Sequence, residues 1–188
     1  MNRRFYIFGP SCSGTSTFGK LLAEELGCFH LDTDDFYWEK TDVPYTEVVP
    51  VDQRVERILS VLSGHDSWVI SGCMCSWGDE VLAAMTHVVY QWEEWSVRKQ
   101  RLIEREERRF GKESFQAGGE REHLFNDFIE WAEQYDKAGV NMRSRVRHEA
   151  WLDEFSSSVN LTRFENMPNV SAKAKRTIYL DALASEVV

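Results

Sequence analysis

Positive charge is what this sequence has least of: 22 Lys and Arg stand against 31 Asp and Glu, a net charge of −9. Nucleic acid and anionic membranes need a basic face, so neither is an expected partner. No apolar run approaches the roughly 20 residues that cross a bilayer, and the aromatic stretch Phe5–Phe8 is too short for a signal-peptide core. The expected location is therefore the cytoplasm. Cysteine is also sparse: Cys12, Cys28, Cys73 and Cys75 are too few to staple a chain of 188 residues. Cys73 and Cys75 enclose one residue rather than two, and no Cys/His pair has zinc-finger spacing, so all four read as small buried side chains rather than ligands. Repeats and low-complexity tracts are missing as well. With 43% hydrophobic residues, the chain is expected to form one domain, 1–188, around one well-buried core.

What the chain does have is an apolar strand, Phe5-Tyr6-Ile7-Phe8, that runs into Gly9-Pro10-Ser11-Cys12-Ser13-Gly14-Thr15-Ser16-Thr17 and opens a helix. This matches the phosphate-loop pattern G-x-x-x-x-G-K-S/T at every defined position except the lysine, where Thr15 stands. Backbone amides around Ser13 to Ser16, with the helix macrodipole behind them, attract a polyphosphate without that lysine. Ser16 keeps the hydroxyl such loops offer to Mg²⁺. What is missing is the point charge that reaches the β- and γ-phosphates. Lys20 stands more than a helical turn beyond Thr15 and is expected to point away.

The first helix carries Phe18, Leu21, Leu22 and Leu26 on one stripe and ends at Gly27. A strand, Cys28–Leu31, then runs into Asp32-Thr33-Asp34-Asp35. Strand, helix and strand make a parallel unit whose loops meet beyond the carboxyl ends of the strands, which puts the glycine loop and the acidic cluster at one edge. The aromatic stretch 35–50 reads as an ordered substrate-side loop, 51–62 as a helix bearing Arg54 and Arg57, and Ser67–Gly72 as a buried strand. A short helix over 79–85 and a strand over 87–92 follow. From 94 to 110 the pattern is helical, with Arg98, Arg101, Arg105 and Arg108 on one stripe. The stretch 111–120 has the composition of a flap, helices are expected over 121–138, 143–155 and 172–187, and a last strand over 159–164.

With loop, acidic cluster and arginine-bearing lid in this order, the chain resembles the P-loop small-molecule kinases, which include nucleoside monophosphate, shikimate and gluconate kinases. Leu31-Asp32-Thr33-Asp34 is similar to the L-D-T/S-D of shikimate kinase, and the lysine-less loop is similar to that of adenylate kinase-like bacterial proteins. The resemblance implies a three-layer α/β fold with a parallel sheet of about five strands, helices on both faces and a helical lid around 98–122. It implies ATP at Gly9, Ser11, Cys12, Ser13, Gly14, Thr15, Ser16 and Thr17, with Mg²⁺ at Ser16 and Asp32. Asp34 would hold or deprotonate a small-molecule acceptor, with Arg57, Gly72, Arg143 and Arg145 also on the acceptor or its phosphate. Arg105 or Arg108 would supply the charge that Thr15 does not. Shikimate is not the expected acceptor, because Cys73-Met74-Cys75 follows Gly72 where the shikimate pocket has glycines.

Plainer roles compete at several positions. Asp34 or Asp35 serves equally as a helix cap, and the arginine stripe as a solvated face paired with Glu94 and Glu104. A second class of function also fits: a nucleotide-binding regulator that keeps the cradle and has lost the chemistry.

Overall fold

A computed structural model describes residues 2–185. Five strands, β1 (Arg4–Phe8), β2 (Phe29–Asp32), β3 (Trp68–Ser71), β4 (His87–Trp92) and β5 (Asn160–Glu165), form one parallel sheet in the order β2-β3-β1-β4-β5. Parallel strands are buried on both faces, which is why β1 and β3 read as nearly unbroken apolar runs. In β1, Phe5 and Ile7 face one layer together with Phe18 and Leu22 of α1 (Thr15–Leu26) and Tyr179 and Leu183 of α8 (Ala172–Ser185). Tyr6 and Phe8 face the other, against Ile58 of α3 (Val51–Leu62), Leu82 of α4 (Asp79–Leu82), and Trp151 and Leu152 of α7 (Arg145–Phe155). The expected three layers are therefore present. A short α2 (Asp34–Tyr37) follows β2, and α5 (Trp95–Phe110) and α6 (Glu122–Glu133) form the helical segment beyond β4.

Several boundaries move from their expected places for local reasons. The second strand starts at Phe29, because the Cys28 amide closes the end of α1 by donating to the Ala23 carbonyl at 2.9 Å. It extends to Asp32, so the first carboxylate of the cluster is a strand residue. The third strand stops at Ser71, since Gly72 takes φ +109° and turns the chain. The fourth helix is a single turn, 79–82. Stretch 111–120 contains a 3₁₀ turn, Lys112–Phe115, packed through Phe115 on Phe125 at 4.5 Å, and Arg121 stacks over Phe110 at 3.8 Å. Of the last expected helix, residues 186 and 187 lie outside the described residues. Among the described residues no helix is long and apolar enough to cross a membrane.

Candidate active site

The central strand β1 delivers the glycine loop to the carboxyl edge of the sheet, between its neighbours β3 and β4. Gly9 admits no side chain: a Cβ there would lie 1.9 Å from the Gln91 carbonyl oxygen. The loop then turns through left-handed conformations at Cys12 (φ 63°) and Gly14 (φ 97°), with the Ser13 amide donating to the Pro10 carbonyl at 3.2 Å. Gly14 caps α1 without any side-chain hydrogen bond, so the first-turn amides of Thr15, Ser16 and Thr17 have no capping side chain. Ser16 and Thr17 are exposed there.

Two arginines hold the loop by its carbonyls. Arg143 Nη2 donates to Gly9 O at 2.6 Å, and Arg101 Nη1 lies 3.4 Å from Cys12 O. Arg101 in turn sits 3.8 Å from Glu93, and Glu93 is fully buried against Lys175 at 2.8 Å. Around this cradle Ser13 Oγ, Gln91 Nε2, Glu93 Oε2 and Arg143 Nε are buried with no hydrogen-bond partner among the described residues. Buried polar atoms are ordinarily satisfied; Ser13 Oγ, Gln91 Nε2 and Arg143 Nε can donate and so suit a polar, anionic occupant, whereas Glu93 Oε2 is an acceptor on a carboxylate paired with the cations beside it.

The acidic cluster meets the loop from β2. Ser71 Oγ donates to Asp32 Oδ2 at 3.4 Å, and His30 Nε2 lies 3.0 Å from the same hydroxyl, which fixes His30 as its donor. Burial lowers the His30 pKa, with Asp32 opposing, so the ring is neutral in this relay. The Asp34 amide donates to Asp32 Oδ1 at 3.1 Å, which ties the two acidic residues together. Asp34 is open to water, yet protein around the cleft thins its hydration. This desolvation raises its pKa, Asp32 adds to the rise, and Arg143 and Arg105 oppose it. Gly72 passes under Thr33 so closely that a Cβ would fall 1.9 Å from Thr33 Oγ1.

Beside the aromatic stretch, Arg54 is the arginine of α3 that the fold buries. Its guanidinium lies 4.3 Å from the Tyr37 ring and 4.8 Å from the Trp77 ring. Arg57 lies one turn on, with its side chain 48% exposed, and pairs with Glu39 at 3.7 Å and Gln53 at 3.2 Å. The aromatic stretch is ordered by a bridge between Trp38 and Val48. Arg109 reaches it from α5, donating to the Tyr45 hydroxyl at 3.2 Å.

The stripe on α5 divides among several tasks. Arg98 is wholly buried, donating to Glu93 O at 2.8 Å and pairing with Asp136 at 2.5 Å. Arg101 serves the loop. Arg105 is half-buried over Phe128, and its charge is felt at both Cys12 and Asp34. Arg108 is exposed and turns back to Glu104 O at 3.2 Å. Arg145 is engaged with Glu165 at 3.0 Å and stacks over Trp92 at 4.4 Å. The geometry thus gathers Asp32, Asp34, Arg105 and Arg143 about the loop, while Arg57, Arg108 and Arg145 make their contacts elsewhere. Arg54 and Arg101 were not among the expected site residues.

The cysteines also depart from expectation. All four are free, and only Cys75 is fully buried. The Cys73 thiol lies 3.2 Å from His148 Nε2. The hydrogen bond from Cys75 holds the Cys73 pKa low, aided by Arg143, whereas burial pushes Cys75 up. Burial works against the charge of Arg143, but Cys73 and then Asp34 outweigh it and raise its pKa.

Similarity to known proteins agrees with this architecture. Shikimate kinase from Bacteroides thetaiotaomicron superposes with a TM-score of 0.54 at 16% identity, covering 97% of this chain and 98% of that one. Shikimate kinase from Acinetobacter baumannii in complex with shikimate gives 0.52 at 16%, covering 99% and 95%. An uncharacterized protein from Eubacterium ventriosum gives 0.52 at 12%, covering 98% and 99%. The parallel five-stranded sheet with its glycine loop on the central strand is thus the P-loop kinase fold. Within that class, the chain belongs to the family of the uncharacterized protein YqaC of Bacillus subtilis (strain 168), with which it shares 35% identity over 185 residues, 98% of this chain and 99% of its relative. No family model matches.

Proposed function

We propose that the chain is a small-molecule kinase that moves the γ-phosphoryl group of ATP to a hydroxyl or phosphate oxygen of a small acceptor in the cytoplasm. The observation that carries this reading is the convergence, at one sheet edge, of an uncapped glycine loop, two carboxylates and two arginines. The fold shared with shikimate kinases supports it.

The loop amides and Ser16 would hold the triphosphate and Mg²⁺, with Asp32 fixed by Ser71 to orient the ion's water shell. Bound there, Mg²⁺ would supply charge neutralisation for the phosphoryl group in transfer. Asp34 faces the acceptor and takes its proton as the new P–O bond forms and ADP leaves; its raised pKa suits a base that must hold that proton. Arg143, with an unpartnered Nε beside the loop, and Arg105 would supply the positive charge that Thr15 does not. An arginine in such a position is worth about 10³–10⁵ in rate. Arg54, between Tyr37 and Trp77, forms the acceptor-side wall.

Thr15 favours a second reading, a nucleotide-binding regulator without turnover. An ADP-release screen over nucleotides, sugar alcohols and small hydroxy acids separates the two. Acceptor-dependent release that disappears in Asp34→Asn is the expected result; ATP binding with no release on any acceptor favours the regulator.

A further inference from the structure

The turn that follows β3 and the first half of α7 bring three soft donors together on the far side of Gly72. The Sγ atoms of Cys73 and Cys75 and a ring nitrogen of His148 all lie within 4.8 Å of one another. We propose that these residues bind a thiophilic divalent cation, zinc by ligand chemistry, at a site separate from the Mg²⁺ site and independent of the kinase reading.

Ligand type comes first. Two thiolates and an imidazole are the donor set that selects Zn²⁺ over Mg²⁺, which prefers oxygen. Bond lengths of about 2.3 Å to sulfur and 2.0 Å to nitrogen put tetrahedral donors about 3.5–3.8 Å apart. One pair already stands at 3.2 Å, so closing the rest takes shifts of about an ångström.

The atoms behind the donors point the same way. His148 Nδ1 lies 2.8 Å from the Tyr135 hydroxyl, which is 2.9 Å from that of Tyr90. A proton on Nδ1 therefore has an acceptor, and that tautomer leaves the Nε2 lone pair facing Cys73. Tyr6 accepts from the Met74 amide at 2.8 Å, which leaves its own O–H to donate to Cys75 Sγ at 3.8 Å. The turn itself is fixed, with Trp77 Nε1 donating to Cys73 O at 3.1 Å and Ser76 in a left-handed conformation. His148 is wholly buried among Phe8, Tyr90 and Tyr135. Charge balances too: two thiolates offset a dication, leaving a neutral centre near Arg143. Three protein donors leave one tetrahedral position for water.

The test uses reduced, full-length protein freed of metal by chelation and titrated with Co²⁺. Thiolate-to-cobalt charge-transfer absorption saturating at about one equivalent per chain is expected, reversed by Zn²⁺. Cys73→Ser and Cys75→Ser should each abolish the band, while Cys12→Ser and Cys28→Ser leave it. In the unmutated protein, Zn²⁺ should protect Cys73 and Cys75 from alkylation, an arm that needs no variant to fold. No band with four titratable thiols, a band that survives in both serine variants, or unprotected alkylation overturns the proposal. So does a Cys73–Cys75 disulfide in freshly purified protein, which would make the pair a redox couple instead.

Discussion

Asp34 carries two opposed requirements. A carboxylate whose pKa is raised by its surroundings destabilises the folded chain once it ionises, so stability falls as pH rises through the interval between its unfolded and folded values. Asp34→Asn removes that penalty. Thermal melts at neutral pH should therefore show an unchanged or slightly raised Tm in the variant, while acceptor-dependent turnover falls by about 10²–10⁴-fold. In the unmutated protein, if Asp34 is the proposed base, the acid limb of the kcat/KM profile should lie above the ordinary aspartate range, because a base works only when ionised. Arg143 poses a different question, since its fork both holds Gly9 O at 2.6 Å and leaves Nε spare. Arg143→Lys keeps the charge but not the fork. Titration calorimetry should show ATP affinity reduced about tenfold, or about 1.4 kcal/mol, with the fold retained.

Elements, rather than single side chains, set the geometry of the cleft. Glycines at both strand ends permit contacts that no other residue allows, and Gly72→Ala would place a methyl group against Thr33 at a φ of +109°. Urea denaturation should report a loss of about 1–3 kcal/mol. Arg98 of α5 pairs with Asp136 in the turn just beyond α6, and Asp136→Ala leaves a buried guanidinium without its carboxylate at a cost of about 3–5 kcal/mol. The apolar runs of β1 and β3, the glycine loop and the carboxylates at the end of β2 were all legible in the chain, because each is a local pattern with a fixed period or spacing. Which arginine does what was not. Arg98, Arg101, Arg105 and Arg108 share one helical stripe, but their tasks depend on Asp136, on the loop carbonyls and on Phe128, which come from distant segments. For the same reason Arg54 and Arg57 looked alike until Tyr37 and Trp77 closed over one of them. The pairing of Cys73 and Cys75 with His148 crosses 75 positions and matches no short motif.

At the scale of the whole molecule, α5 and the aromatic stretch 35–50 touch through Arg109 and Tyr45, and the glycine loop is tied to α5 and to the segment before α7 by Arg101 and Arg143. Two parts of the chain thus grip a loop that has a threonine where its pattern calls for lysine. If those arginines suffice, Thr15→Lys should not raise turnover; a large gain in ADP release would mean that charge at Thr15 had been limiting. The claim underneath is that main-chain amides and borrowed guanidinium groups bind a nucleoside triphosphate unaided by that ammonium group. Isothermal titration of the purified chain with ATP in the presence of Mg²⁺ tests it directly. The account predicts a saturable heat with single-site stoichiometry that shrinks in Arg143→Lys, whereas no heat at millimolar ATP would contradict it.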